Sequence, residues 1–125
     1  MNAEVIANAF NEMSEHVEAN TVDKGFRPQT VAQSREDLAT FTANLHGEVS
    51  ELWEAYRGGK LHEPCDKAEQ MRAAGLLVLT CAEEELADII IRALDTARAL
   101  NVDIGKTTSS SSRATFMERS DVSAP

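Results

Sequence analysis

Two apolar stripes, each edged on the same side by a pair of acids, constrain the fold of this 125-residue chain more than any other feature. At about 100° per helical residue, Leu38, Phe41, Leu45, Val49, Leu52 and Tyr56 share one helix face, and Glu48 and Glu51 lie together on its flank. Leu86, Ile89, Ile90, Ala93, Leu94 and Ala97 form a second stripe, with Glu85 and Asp88 on the same-handed flank. Antiparallel packing of the stripes would bring both flanks to one side of the seam, where the four carboxylates converge. Acids gathered in this way repel one another unless a cation neutralises them. Hard oxygen donors suit magnesium, with manganese as the alternative.

The remaining composition agrees with an all-α class. Aromatic residues make up 5% of the chain, and no Val-, Thr- or Tyr-rich run alternates as a strand would. A length of 125 residues suits a single domain with a modest core. We place that domain at residues 1–105 and read residues 106–125, with the serine run Ser109–Ser112, as a flexible tail. The net charge of −9 argues against a nucleic-acid partner, which requires basic surface to replace counterions. A polyphosphate arriving with a divalent metal is still compatible, because the metal inverts the local charge. Cys65 and Cys81 lack partners at zinc-ligand spacing and read as reduced thiols, which with no visible signal peptide points to a cytoplasmic protein. The Leu76–Leu79 run is too short for a membrane span.

Local signals place the helices. Val5, Ile6, Ala9, Phe10, Met13 and Val17 predict a first helix over 3–19. A second begins near Thr30 or Ser34 and stops at Gly58-Gly59. Pro64 can open a third piece that reaches Arg72 before Gly75. Thr80 followed by Glu83 reads as a capping box for a last long helix running to about Leu100, with a loop over 101–105.

Carboxylates one turn apart on two facing helices can hold a cation that bridges phosphate oxygens and acidifies a bound water. A carboxylate not engaged by the metal, among Glu48 and Glu51, can then act as general base. Arg92, one turn past Asp88, is placed to meet a phosphate or to balance the acids. Lys60 is a looser phosphate candidate, and Trp53 a candidate for contacting a base. Each feature has a plainer explanation. E-x-x-E is common on solvated helix faces, acids at 83–85 complement a helix dipole, and Arg92 can pair with Asp88 at i,i+4.

The segments Glu48-Val49-Ser50-Glu51-Leu52-Trp53-Glu54-Ala55 and Glu85-Leu86-Ala87-Asp88-Ile89-Ile90-Ile91-Arg92 resemble the E-x-x-E and E-x-x-D halves of the MazG-like nucleoside triphosphate pyrophosphohydrolases. These belong to the all-α NTP pyrophosphatase superfamily. The Arg57-Gly58-Gly59-Lys60 turn and the run 82–105 are similar as well, so the resemblance covers about residues 30–105. It implies a four- to five-helix bundle that assembles as a homodimer or homotetramer. It also implies Mg2+ held by Glu48, Glu51, Glu85 and Asp88, and cleavage of nucleoside triphosphates to monophosphate and pyrophosphate in nucleotide-pool housekeeping. Two departures stand out. The spacer between Glu51 and Glu85 holds 33 residues, longer than the pattern, and Lys106 is followed by Thr107-Thr108 and serines where relatives carry a Tyr-Asn and Arg stretch. The rival readings are a non-catalytic helical oligomerisation protein and a pyrophosphohydrolase acting on another pyrophosphate-linked metabolite.

Overall fold

A computed structural model describes residues 2–25 and 37–109. Among these residues there are five α-helices and no β-strand: α1 Ala3–Asp23, α2 Leu38–Arg57, α3 Ala68–Ala73, α4 Cys81–Ala99 and α5 Ile104–Ser109. The protein is all-α, and no helix among the described residues is long and apolar enough to cross a membrane.

The expected helices form, with shifted ends. Asn2 Oδ1 caps α1 by accepting the Val5 N–H at 2.9 Å, and α1 runs four residues past the predicted Ala19. The described part of the second helix begins at Leu38, and the expected start at Thr30 or Ser34 lies outside the described residues. Pro64 does not open a helix. It pairs instead in an isolated antiparallel bridge with Thr80, and α3 begins at Ala68. The Thr80 capping box forms as read: Thr80 N–H donates to Glu83 Oε2 at 2.8 Å and Glu83 N–H to Thr80 Oγ1 at 3.2 Å.

α2 and α4 end in the same way. Gly59, at φ +68°, donates to Tyr56 O while Lys60 donates to Ala55 O; Asn101, at φ +56°, donates to Arg98 O while Val102 donates to Ala97 O. This double back-bond satisfies carbonyls left over at a helix end and requires the left-handed conformation, which glycine and asparagine tolerate best.

The described residues fall into two compact units, one drawn from 2–25 and 94–109, the other from 37–93. In the first, α5 packs on α1. Gly105 is buried there, and a Cβ on it would lie 2.2 Å from the Ala7 carbonyl oxygen, so only glycine permits this approach. Asn11 Oδ1 accepts the Gly105 N–H at 2.9 Å, and Asn11 Nδ2 donates to Asp103 Oδ1 at 3.0 Å. Asp103 Oδ1 also accepts the Lys106 N–H at 2.9 Å, capping α5. That bond, followed by the one from Asn11, holds the Asp103 carboxyl below its usual range. Ser14, fully buried, donates to the Leu94 carbonyl at 3.0 Å, and Leu94, Ala97 and Ala99 are buried in the same unit. The loop expected at 101–105 is thus partly the start of a helix, which its contacts with α1 and the Asp103 cap stabilise; that helix continues to Ser109, into the tail expected at 106–125, and the rest of that tail lies outside the described residues.

In the second unit the buried residues are Cys65, Ala68 and Glu84. The apolar stripes are only partly covered. Phe41, Leu45, Leu52 and Ile89 are half-buried, whereas Val49, Tyr56, Leu86 and Ile90 are each about half exposed to solvent.

Candidate metal centre

Glu48 and Glu51 sit one turn apart on α2, and Glu85 and Asp88 one turn apart on α4, all within the second unit. Glu48, Glu85 and Asp88 each offer a carboxylate oxygen, and these oxygens lie within 4.8 Å of one another. Glu51 hydrogen-bonds to Glu85. The partners of Glu48 (Asp88 and Arg92) lie further along α4 than the partner of Glu51, so the two helices run in opposite senses past the acids. All four expected ligands therefore meet in one place, three as a tight cluster and Glu51 through Glu85.

The electrostatics reflect this crowding. Glu85 is pushed up to about 7, first by burial and then by the charge of Glu51 and their shared hydrogen bond. Asp88 is also raised, burial outweighing the ammonium of Lys67, with the Glu48 charge adding to the rise. Glu85 Oε2 is buried with no hydrogen-bond donor among the described residues. A buried acceptor of this kind fits a cation better than it fits an empty protein interior. The donor set is all carboxylate oxygen, the type preferred by magnesium and manganese. Octahedral ligands at 2.0–2.1 Å stand about 3 to 4 Å from one another, so a small inward rotation of these side chains from their present spread would complete a cradle.

Arg92 acts on acids of both helices, and its charge tempers the rise of Asp88 on its own helix. Its Nε donates to Glu48 Oε1 at 2.9 Å, from α4 to α2, and the Glu48 side chain is only 12% exposed. In this arrangement the Arg92 guanidinium offsets part of the charge of the acids. Lys60 caps Ala55 through its backbone, and its ammonium has no ion-pair partner among the described residues. The structure does not bring it to the acids. Trp53 stands exposed and stacks on Tyr56, ring centres 5.4 Å apart.

Two further residues join the acids without having been expected there. Lys67 pairs with Glu84, and its Nζ is 3.9 Å from Asp88 Oδ2. These pairings raise the Lys67 ammonium above its ordinary value, the Glu84 hydrogen bond foremost. Glu51, Glu54, Asp66, Lys67, Glu84 and Glu85 line a recess of about 440 Å³ beside the cluster. A larger hollow beside His46, lined by Leu38, Ala39, Thr42 and Ala43, contains no carboxylate and is unsuited to a cation. The only sequence hint for Glu84 was its place in an acidic first turn, and Lys67 gave none.

The chain matches no protein-family model, no curated protein and no solved structure.

Proposed function

We propose that this chain is a divalent-cation-dependent nucleoside triphosphate pyrophosphohydrolase of the MazG-like kind, built as a helical bundle. The convergence of Glu48, Glu85 and Asp88 from two antiparallel helices carries the proposal. Two α-helices that place acids at i,i+3 on facing flanks make an oxygen-only cradle without any loop, and a triphosphate is a substrate whose charge such a cradle can manage through its cation.

In this reading Glu48, Glu85 and Asp88 hold Mg2+, or Mn2+ in its place, and Glu51 shares the holding through Glu85. The cation, when bound, supplies charge neutralisation to the phosphoanhydride. The residues do the rest. Glu51, exposed at the edge of the recess, accepts a proton from the attacking water, with Glu48 as the alternative base. Arg92, on release from Glu48, offers a planar guanidinium to phosphate oxygens. Lys60 serves only if substrate draws its flexible side chain inward. The Trp53–Tyr56 stack offers an aromatic face for a base. The exposed Val49, Tyr56, Leu86 and Ile90 favour assembly as a homo-oligomer, because association buries apolar side chains left open to solvent. Cleavage between the α and β phosphates, a housekeeping role and a cytoplasmic setting complete the proposal.

The same exposed apolar residues favour a second reading, a helical oligomerisation protein without catalysis. Pyrophosphate release from a panel of canonical and modified nucleoside triphosphates separates the two, measured with magnesium and with chelator for wild type and Glu51→Ala. Magnesium-dependent release lost in Glu51→Ala supports the enzyme. A folded wild type that releases nothing from any nucleotide rejects it, and release only from other pyrophosphate-linked metabolites moves the substrate but keeps the chemistry.

A further inference from the structure

The acid cluster already contains a cation of its own, and its placement is built into the backbone. Cys65 N–H donates to Leu79 O and Cys81 N–H donates to Glu63 O, both at 2.9 Å, on either side of the Pro64–Thr80 bridge. These bonds fix the segment before α3 against the start of α4. Cys65 and Ala68, both buried, anchor it on either side of Lys67. The Lys67 ammonium is thereby delivered to Glu84 and to within 3.9 Å of Asp88 Oδ2. The Glu84 side chain is only 7% exposed, and the ammonium is the sole partner of its Oε1 among the described residues. A carboxylate buried so completely is strongly unfavourable without a cation beside it. Paired metal ions that clamp a phosphoryl group stand about 3.5–4 Å apart. Here Asp88 stands between the Lys67 ammonium on one side and the Glu48 and Glu85 carboxylates on the other.

We propose that Lys67 is the chain's built-in second cation: its ammonium occupies the place where a second divalent ion would bridge Glu84 and Asp88, so the protein takes up one divalent ion per chain. This rests on the reading of Glu48, Glu85 and Asp88 as a metal site. Its lysine is 55% exposed at the side chain and so faces the recess while its charge is engaged inside it. One ion and one fixed ammonium would then share the work of a two-ion clamp, with no second ion to lose at low metal concentration.

The test counts ions without using turnover. Mn2+ binding to the full chain is followed by titration calorimetry and by the spin-resonance signal of free Mn2+, without nucleotide, for wild type, Lys67→Arg, Lys67→Ala and Lys67→Gln. The expected result is one ion per chain in wild type and Lys67→Arg, and a second ion in Lys67→Ala. Lys67→Gln, which keeps most of the side-chain volume, repeats the count should the alanine variant fail to fold. One ion in every folded variant overturns the role of Lys67 and leaves the metal site standing. Two ions in wild type overturn it equally. No ion in wild type overturns the metal reading, and no ion in any variant removes both.

Discussion

Replacing Glu85 with glutamine isolates the cost of burying a charged carboxylate beside other acids. In the folded chain the Glu85 carboxyl keeps its proton up to about 7, compared with 4.5 for an unperturbed group. Between those values the folded state binds a proton that the unfolded state has released, so stability falls as pH rises through the window. At about 1.4 kcal/mol per unit, the full displacement would amount to roughly 3 kcal/mol once both states are ionised. The recess opens to water and Glu85 titrates together with Glu51, so about 1–2 kcal/mol of that survives as a net effect. Glutamine has nearly the same volume, cannot ionise, and can donate to Glu51. Urea unfolding followed by circular dichroism, in chelator, is therefore expected to find Glu85→Gln more stable than wild type by about 1–2 kcal/mol near pH 8, with the gap closing near pH 5. Adding Mg2+ near pH 8 should reverse the order, because the cation then stabilises the wild-type carboxylate and not the amide. A gap that does not change with pH, or a glutamine variant less stable than wild type in chelator near pH 8, would refute the picture of an unneutralised, desolvated acid at this position.

Further outcomes follow from the same geometry. Gly105→Ala should destabilise by about 1–2 kcal/mol despite the helix-propensity gain, since its Cβ meets the Ala7 carbonyl at 2.2 Å, whereas Gly47→Ala, with open space at its Cβ, should stabilise by up to about 1 kcal/mol; thermal melts of the pair decide. Arg92→Gln leaves the nearly buried Glu48 unpaired and should lower stability by about 1–3 kcal/mol in chelator, with part of the loss recovered on adding Mn2+; an unchanged melt would show that the Glu48 pairing is not formed. Thr80→Ala removes half of the reciprocal cap on α4 and should cost about 1 kcal/mol in urea unfolding, and amide exchange should speed up most over the first turn after residue 80.

How much of this was legible in the sequence depends on the range of the forces involved. Helical periodicity, the Thr80–Glu83 cap and the Gly59 stop act within a few residues, and each was readable from its own neighbourhood. The meeting of Glu48, Glu85 and Asp88 was readable because a helix fixes side-chain direction, so two flanks and one packing sense determine where the acids point. Lys67 and Glu84 were not readable. They meet through a backbone bridge between positions 64 and 80, and no local pattern registers such pairing. Arg92 also illustrates the limit. Sequence spacing offered Asp88 as its neighbour on α4, whereas its ion pair with Glu48 crosses to α2, which no spacing along one helix registers. α5 was missed because threonine and serine have weak helix propensity, and only its docking on α1 and the Asp103 cap make it helical.

The Trp53–Tyr56 stack makes the protein a ready optical gauge of its own encounters. Trp53 is the single tryptophan and Tyr56 the single tyrosine of the chain, and both stand more than half exposed on the helix that carries Glu48 and Glu51. All indole emission therefore originates at one known point, two residues from an acid of the cluster. An aromatic base settling on that ring would quench it, and a second copy of the chain covering the face would shift it toward the blue by excluding water. One unlabelled sample, titrated first with nucleotide and then simply concentrated, would report on both events in different colours of the same light.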